Sequence, residues 1–429
     1  MQPRDPSPAG LDASLAASLR GLDRDGRLLF STRFLRLFAY GFLAVVLVLY
    51  LESLGLDAFT IGLVLTLTLV GDAVISLWLT TNADRLGRRR VLVAGSLLMV
   101  AAGLAFAATS AVPLLILAAT IGVISPTGNE VGPFLAIEQA ALSQSTPDAR
   151  RTPVFAWYNL AGYVATAIGA LAGGVLAQVL LAARFAPVDA YRGIVIGYAL
   201  VGIAMAAVFS RLGHGVEAPV TAATDDGIAR RLGLGRSKGI VARLSVLFAL
   251  DSFAGGFVPQ SLLAYWFHRK FGVEPALLGG IFFGANLLAA VSALSASRIA
   301  RRFGLVNTMV FTHLPSNILL ILVPLMPNLQ LAIALLLLRF SLSQMDVPTR
   351  QSYVMAVVEP GERSAAAGVT GIARTTGAAL SPILSAPLVA SGGLTSIPFF
   401  IAGGLKIVYD LSLWAAFKAR PAPEERTPR

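Results

Sequence analysis

The chain has 429 residues, of which 56% are hydrophobic and 13% charged, and its mean hydropathy is +0.74. A water-soluble domain needs more charged surface, so this composition excludes that class and indicates the lipid bilayer as solvent. The formal net charge is +11, but the arginines stand in short gaps between apolar runs, which argues against nucleic acid as a partner. With no cysteine and three scattered histidines, we expect no disulfide, thiol chemistry, metal site or cofactor.

Twelve runs are apolar and long enough to cross the bilayer, since a spanning helix needs about 20 residues. The predicted spans are 34–53, 58–81, 91–110, 112–141, 153–182 and 191–211, followed by 241–267, 274–296, 305–326, 329–357, 364–390 and 394–417. The predicted fold class is therefore an all-α membrane protein. Residues 1–33 are polar and lack an apolar stretch, so we expect no removable signal peptide.

Basic residues occupy alternate gaps between the spans. Runs such as 85–90, 230–238 and 298–302 are rich in arginine, whereas the gaps at 51–58 and 391–396 contain no basic residue. Because cytoplasmic loops carry the excess of lysine and arginine, both termini are predicted to be cytoplasmic. The expected location is a bacterial inner membrane.

A polar stretch midway along the chain divides it into two halves. The predicted organisation is an N-terminal tail (1–33), a six-helix bundle (34–211), a linker (212–240), a second six-helix bundle (241–417) and a C-terminal tail (418–429). The halves also repeat one another, because residues 83–89 align with residues 296–302 at an offset of about 213. Parallel repeats of this size are typical of transporters with a midplane substrate site.

The loop Asp84-Arg85-Leu86-Gly87-Arg88-Arg89-Arg90 lies between the second and third spans and resembles the signature loop of the major facilitator superfamily. The resemblance extends over nearly the whole chain and implies two pseudo-symmetric six-helix bundles. It also implies a conformational gate made by Asp84, Arg85, Gly87 and Arg88. Thr80 departs from the pattern, which usually has glycine there. The alternative is that the basic residues only set the topology, although topology gives Asp84 no role.

The tenth span contains a polar stripe. Arg339, Ser343, Asp346 and Arg350 follow at i, i+4, i+7 and i+11, which places them within roughly 60° on one helical face. Asp346 can pair with Arg350, and with Arg339 two turns away, leaving an excess positive charge for another helix or an anion. We predict that Arg339 and Arg350 bind substrate. The alternative is a neutralised structural cluster.

Further ionisable and amide residues lie within predicted spans, where a charge costs at least about 2.5–3.5 kcal/mol and is a candidate functional group. Carboxylates that can load and release a proton are predicted at Glu130, Asp251, Asp72 and Asp346. Arg374 stands among small residues and needs an anion or an acidic partner, so we predict that it contacts substrate. Amides predicted to contact substrate are Asn129, Asn159 and Asn286.

Other charges favour structural roles. Arg33 and Arg36 are expected to reach towards the membrane interface, and Glu138 to be solvated or part of a gate. Lys406 and Asp410 are one turn apart and are expected to neutralise each other. His313 and Asn317 are also predicted to be structural.

The sequence thus predicts a secondary active transporter, which moves a small amphiphilic or anionic organic solute by alternating access. Proton-coupled export by antiport is the first alternative, and proton-coupled uptake by symport the second. A non-transporting receptor or sensor on the same fold is a third. Primary transport is not expected, because the sequence contains no nucleotide-binding loop. Enzymatic activity is not expected, because it contains no metal cluster or nucleophile elbow. The expected partners are the solute, protons and the bilayer, and a monomer is expected.

Overall fold

The computed structural model describes residues 22–217, 235–359 and 362–419, without the side chains of residues 148–153 and 364. These residues form seventeen α-helices, two short 3-10 helices and no strand. The first half contains α1 (Arg24–Ala44), α2 (Leu47–Ser53), α3 (Ala58–Leu86), α4 (Arg88–Ala108), α5 (Val112–Ile121), α6 (Phe134–Ser145), α7 (Asp148–Ala182) and α8 (Pro187–Phe209). The second half contains α9 (Lys238–Gly256), α10 (Gln260–Phe271), α11 (Pro275–Phe303), α12 (Leu305–Leu322), α13 (Leu329–Ser343), α14 (Asp346–Val357), α15 (Arg363–Ala379), α16 (Pro382–Ala390) and α17 (Ile397–Phe417).

The twelve predicted spans map onto these helices because five spans are each built from two helices. Nine helical stretches of the described chain are long and apolar enough to cross a membrane, or ten when α1 and α2, which meet at 44°, count as one. The fourth span (α5 with α6) and the eleventh (α15 with α16) supply the others as pairs of shorter helices. Each half therefore follows the order expected for a six-helix bundle.

The first helix begins earlier than predicted. Arg24 lies ten residues before the expected start of the span, and the side chain of Asp23 caps the helix by accepting a 2.7 Å hydrogen bond from the Gly26 amide. A capping aspartate satisfies one of the free amides of the first turn. Part of the predicted N-terminal tail is therefore helical, whereas residues 1–21 lie outside the described residues.

The repeat between the halves has a different register from the predicted one. Gly87 (φ +94°) separates α3 from α4, and Gly304 (φ +85°) separates α11 from α12 in the same way. Both positions have a positive φ, which glycine adopts without strain. The equivalent residues thus differ by 217 and not by about 213, a slip of four residues or about one helical turn. Repeated arginines at a helical spacing hid this slip in the sequence.

The fourth span is broken over residues 122–133, where the sequence predicted a continuous helix. Gly128 (φ +70°) and Gly132 (φ +83°) turn the chain between α5 and α6. Backbone at membrane depth must be hydrogen-bonded by protein or water. Four hydrogen bonds do this here: Tyr40 and Tyr198 donate to the carbonyls of Val131 and Val123, the Ser261 amide donates to Pro126, and the Gly132 amide donates to Asp72.

Close packing of glycines joins the first span to the fifth. A Cβ at Gly41 would lie 2.2 Å from the Thr166 carbonyl oxygen, and a Cβ at Gly169 would lie 2.0 Å from that of Phe38. Glycine lets two membrane helices approach until their backbones touch. The glycines of the fifth span thus have the packing role that their spacing indicates.

The two halves meet through α7 against α11 and through α3 against α15 and α16. We call the end of the molecule that carries Gly87, Phe209 and Lys238 the basic end, and the end that carries the turns at 54–57, 183–186 and 272–274 the opposite end. At the opposite end, Gln178 donates a 2.9 Å hydrogen bond to Glu274, and Tyr265 donates a 2.8 Å bond to Glu52. Both bonds cross between the halves.

The buried apolar residues are divided unequally along this axis. One core cluster includes residues of both halves, whereas a second contains only residues of the second half, among them Val241, Val306, Tyr353 and Phe417, towards the basic end. The halves are thus packed together at the opposite end, while the second half has a core of its own towards the basic end.

Candidate functional site: two buried charge clusters

The first half contains a buried charge cluster that joins α1, the fourth span and α7. We call it the N-terminal cluster, and its members are Arg33, Arg36, Glu130, Glu138 and Tyr158. Arg36 is fully buried and binds both carboxylates, with its Nε 2.7 Å from Glu130 and its Nη2 2.6 Å from Glu138. Arg33 pairs with Glu130, and the Tyr158 hydroxyl donates to Glu138. Two cations thus balance two carboxylates.

This cluster corrects three predictions. Arg33 and Arg36 do not extend to the interface, because their guanidinium groups turn inwards to the carboxylates of the fourth span. Glu138 is not solvated, since its side chain has no exposed surface, and its part in a gate stays a prediction. The sequence did contain a signal of this pairing, because two basic residues stand at the start of the first span and two acidic residues stand in the fourth.

The second half contains a larger charge cluster, which joins α9, α12, α14 and α17. We call it the C-terminal cluster, and its six ionisable members are Asp251, His313, Asp346, Arg350, Lys406 and Asp410. Asp251 lies at its centre, 2.6 Å from Lys406 Nζ and 3.4 Å from Arg350 Nη1. Arg350 also donates to Asp346 at 2.9 Å, as the i, i+4 spacing predicted. All these groups are buried.

The peripheral part of this cluster differs from the prediction. Lys406 does not pair with Asp410 but with Asp251 on α9, and Asp410 instead contacts His313 Nδ1 at 2.8 Å and accepts a 2.8 Å bond from Asn317. The other ring nitrogen, His313 Nε2, lies 4.0 Å from Asp251. His313 therefore stands between two carboxylates from different helices, a contact that no local spacing indicates.

Two arginines beside the C-terminal cluster have no fixed anion. Among the described residues, neither Arg339 nor Arg374 makes an ion pair or a hydrogen bond, and the Nε of each is buried without a partner. Asp251 and Asp346 are the carboxylates whose charges act on both. The space beside Gly371, one turn before Arg374, is open, since a Cβ there would meet nothing within 4 Å. This region therefore has room and unpaired positive charge for an anion.

The polar stripe of the tenth span lies on two helices, because α13 ends at Ser343 and α14 begins at Asp346. The freed amide of Gln344 donates a 3.2 Å hydrogen bond to Ser292 on α11. The Ser343 hydroxyl is buried and has no partner in the described part of the chain. The break thus separates the unpaired Arg339 from the paired Asp346 and Arg350.

Asp72 is the predicted proton site without a cation among the described residues. Its Oδ1 accepts a 2.6 Å hydrogen bond from the Gly132 amide and a 3.0 Å bond from Ser76. It is 9% exposed. The carboxylate therefore fixes the backbone just before α6, which gives it a structural role in the broken span.

The predicted amide contacts fall in different places. Asn286 is buried and donates a 3.2 Å hydrogen bond to Gln260, whose Nε2 is buried without a partner among the residues described. Gln260 lies at the start of α10, and its side-chain amide would be 3.2 Å from a Cβ at Gly128. Asn129 and Asn159 are exposed. Asn286 and Gln260 thus lie where the broken fourth and seventh spans meet, and sequence reasoning missed Gln260.

The predicted gate loop has a partner that the sequence did not reveal. Arg88 pairs with Asp84 at 2.8 Å and donates to Gln144 at 2.9 Å, whereas Arg85 is exposed. The backbone amide of Arg88 donates a 2.6 Å bond to Glu217, just after α8. The loop is therefore tied to α6 and to the beginning of the linker.

The other end of the linker is held in a related way. The carboxylate of Glu362, in the loop before α15, accepts hydrogen bonds from the amides of Gly235, Arg236 and Ser237 at 2.8, 3.1 and 3.0 Å. A hydrogen bond with the Ser237 side chain, followed by those from the backbone amides, holds the pKa of the Glu362 carboxyl below its ordinary value. Residues 218–234, between these two anchors, lie outside the described residues.

A sequence profile described as the Major Facilitator Superfamily matches residues 29–374. The chain belongs to the Major Facilitator Superfamily. Its membership confirms the predicted family and the two-bundle fold, and makes the protein a multi-pass membrane transporter of some solute. The chain is also 32% identical over 422 residues to an uncharacterized membrane protein of Saccharomyces cerevisiae, with 92% of this chain and 94% of the relative covered.

Solved structures of superfamily members share the fold. The nucleoside transporter NupG superposes with a TM-score of 0.72 at 16% identity, covering 91% of this chain and 99% of the other. A D-xylose-proton symporter superposes with a TM-score of 0.70 at 15% identity, covering 94% of this chain and 98% of the symporter. A bacterial homolog of the human lysosomal transporter Spinster, in an inward-facing and occupied conformation, superposes with a TM-score of 0.67 at 15% identity. The superposition covers 94% of this chain and 98% of the homolog.

Proposed function

We propose that this protein is a proton-coupled transporter of a small organic anion, with the anion bound between Arg339 and Arg374. The observation that supports this most directly is that neither guanidinium has an ion pair among the described residues. A charged group within the membrane that lacks a protein partner indicates a transported or bound counter-ion. Arginine suits carboxylate, sulfonate and phosphate groups because it can donate two parallel hydrogen bonds.

The surroundings favour an anion over a cation. The N-terminal cluster is balanced, with Arg33 and Arg36 against Glu130 and Glu138. In the second half, the C-terminal cluster and its two flanking arginines contain four permanent cations against three carboxylates. An anion would neutralise this excess, whereas a cation would increase it. Glu130, predicted to be a proton site, is here held by two arginines, which makes it the weaker candidate.

The charge excess also bears on the direction of coupling. A proton and an anion that bind near one another favour each other, because each reduces the electrostatic cost of the other. Joint binding leads to movement in the same direction, so the geometry favours symport over antiport. This reverses the order of the two alternatives that the sequence suggested. Asp251 and Asp346 are the proposed link between the bound anion and the coupled proton, since the charges of both act on Arg339 and Arg374.

The proposed cycle begins from the conformation seen here. The halves are packed at the opposite end, through pairs such as Gln178 with Glu274. Following the excess of basic residues, we assign the basic end and both termini to the cytoplasm. The site would then open to the cytoplasm, and Asp84 and Arg88 would lie in the gate that closes there. Monomeric operation and a bacterial inner membrane belong to the same proposal.

The test is a flux measurement in proteoliposomes that contain the pH dye pyranine. The panel has three anions (gluconate, glycerol 3-phosphate and benzenesulfonate), neutral xylose and cationic benzyltrimethylammonium. We expect at least one anion to enter with protons, so that internal pH falls when it is added outside. At a gradient of one pH unit, one-to-one coupling gives up to about tenfold accumulation, since one unit corresponds to 1.36 kcal/mol.

Other outcomes would contradict the proposal in distinct ways. Protons that move in the direction opposite to the anion would indicate antiport. Anion flux without proton movement would show that transport is not coupled to protons. Transport of the cation alone would overturn the anion assignment. Binding of an anion without any flux would favour the receptor or sensor alternative.

A further inference from the structure

We infer that the coupled proton is held by His313 on α12, beside Asp410 on α17, and not by a carboxylate that faces the substrate. This inference rests on the proposed function, because it gives the coupling proton a position. Both residues look structural in the sequence. The arrangement around the imidazole assigns them this further role.

Both ring nitrogens of His313 face carboxylates. Nδ1 lies 2.8 Å from Asp410 Oδ1, and Nε2 lies 4.0 Å from Asp251 Oδ1. Nδ1 also lies 3.2 Å from the side-chain amide nitrogen of Asn317, which donates a shorter bond to the other oxygen of Asp410. A neutral imidazole has one donor and one lone pair, so one of its nitrogens would point a lone pair at an anionic oxygen. An imidazolium has a donor on each side and matches both carboxylates. The two carboxylates therefore favour the protonated ring, by a hydrogen bond on the Asp410 side and by a longer ionic contact on the Asp251 side.

The charge balance of the C-terminal cluster also favours a proton at His313. It has three carboxylates, Asp251, Asp346 and Asp410, against two permanent cations, Arg350 and Lys406. One added proton makes the six residues of this cluster neutral among themselves, and buried groups are least costly when their charges balance. The two flanking arginines are then the positive charges left for the anion. The groups that face His313 are Asp410 and Tyr409 on α17, Asp251 on α9 and Asn317 on its own helix. Lys406 and Arg350 contact Asp251, and Asp346 contacts Arg350, so these three lie one or two contacts further away.

The site also has a continuous connection to the proposed anion site. His313 faces Asp251, Asp251 accepts from Arg350, and Arg350 binds Asp346. The charges of Asp251 and Asp346 act on Arg339 and Arg374. An anion that occupies these arginines weakens their attraction for Asp251 and Asp346, which leaves more negative charge to stabilise a proton on His313. Substrate and proton thus interact without touching.

Asn317 fixes the geometry of the pair. Its side-chain amide donates a 2.8 Å bond to the second oxygen of Asp410 and is itself fully buried. Asp410 therefore keeps one oxygen for Asn317 and the other for the imidazole. Asp410 and Asn317 are positioning residues, whereas His313 carries the proton.

The first experiment needs no substrate, because its probe is the proton. The chain has only three histidines, so the full protein in nanodiscs with ¹³C,¹⁵N-labelled histidine gives three sets of imidazole signals. The His313 signal is assigned by its loss in His313→Gln. We expect this signal to change from neutral imidazole to imidazolium between about pH 9 and pH 5, with uptake of one proton per chain that His313→Gln lacks. An unchanged signal, or equal uptake in the variant, would overturn the inference.

The second experiment uses the pyranine assay with gluconate, glycerol 3-phosphate and benzenesulfonate. We expect His313→Gln to lose the roughly tenfold accumulation at one pH unit while retaining exchange of labelled for unlabelled anion, which also shows that it is folded. Asp410→Asn should behave in the same way. The matched control is His268→Gln, at the opposite end, where the imidazole contacts the Val273 carbonyl. This control should keep both activities.

The two proposals can fail separately. If wild-type protein moves none of the three anions but His313 takes up a proton, the proposed function is wrong and the proton site stands. If His313→Gln still accumulates an anion as wild type does, the proton site is wrong and the proposed function stands.

Discussion

Arg339 and Arg374 differ from the buried Arg36 and Arg350 in having no anion of their own among the described residues. We therefore expect Arg339→Gln and Arg374→Gln to raise the KM for the transported anion at least about tenfold, the loss of roughly one charge-assisted hydrogen bond. Thermal stability should stay equal or rise, because the substitution removes an uncompensated charge. Lys418→Gln, which removes the same charge at an exposed position, is the control. An unchanged KM in both arginine variants would contradict the anion site.

Arg36 should behave in the opposite way. Its guanidinium is fully buried and compensates Glu130 and Glu138 at 2.7 and 2.6 Å. Removing one partner of a buried ion pair leaves the other charge uncompensated, which costs about 3–5 kcal/mol. Arg36→Gln should thus lower the unfolding free energy by about this amount, and the double variant Arg36→Gln with Glu138→Gln should recover part of it. Unfolding followed by tryptophan fluorescence measures both, and two equally unstable variants would argue against this pairing.

The sequence predicted contacts between residues close in the chain better than those between distant ones. Asp346 and Arg350 are one turn apart, and their pairing at 2.9 Å follows from helical spacing. Lys406 is also one turn from Asp410, but it pairs with Asp251 across 155 residues. Local spacing shows that two groups can meet, whereas the choice between partners depends on how the helices pack. Partners in different spans are therefore beyond a single sequence.

At the scale of elements, the broken fourth span was detectable from composition. Residues 122–133 contain three glycines and two prolines, which is a strong signal against a continuous helix. The hydrophobicity of these residues still predicted a membrane span, and the span lies at the predicted position in the chain. The sequence did not show the hydrogen bonds that two other spans make with this segment. Asp72 accepts a hydrogen bond from it, and Tyr40 donates one to it.

Asp72 therefore offers a test of the broken span. Asp72→Asn keeps an oxygen for the Gly132 amide, whereas Asp72→Leu removes it. We expect Asp72→Leu to destabilise the protein by about 1–3 kcal/mol, the cost of an unsatisfied buried amide. Asp72→Asn should change stability by less and keep proton-coupled flux. Loss of coupling in Asp72→Asn with full stability would instead make Asp72 a proton site, as the sequence predicted.

The connection between the halves provides a pH-dependent prediction. Because the pKa of Glu362 is lowered in the folded protein, its ionised form stabilises the anchor at residues 235–237. This stabilisation is present above the unfolded pKa of about 4.3 and is lost as pH falls through the lowered folded value. Glu362→Gln should thus have a lower Tm than wild type at neutral pH, with the difference disappearing in acid. Glu359→Gln, three residues earlier and exposed, is the control.

The packing of α7 on α11 keeps the two halves together at the opposite end. A Cβ at Gly174 would lie 2.3 Å from the Pro275 carbonyl oxygen, and one at Gly279 would lie 2.7 Å from that of Ala170. Backbones this close leave no room for a side chain. If this contact sets the conformation, a bulky residue at Gly174 should separate the halves at this end and close them at the basic end.

Distance measurements between spin labels can follow this change, because the chain has no native cysteine to interfere. One pair, Phe185→Cys with Leu277→Cys, reports the opposite end, and a second, Leu86→Cys with Phe303→Cys, reports the basic end; all four positions are exposed. We expect Gly174→Leu to lengthen the first distance and shorten the second. Gly280→Leu, where a Cβ would meet nothing within 4 Å, should change neither. If both distances increase together in Gly174→Leu, the halves separate without rocking, and alternating access about this interface is wrong.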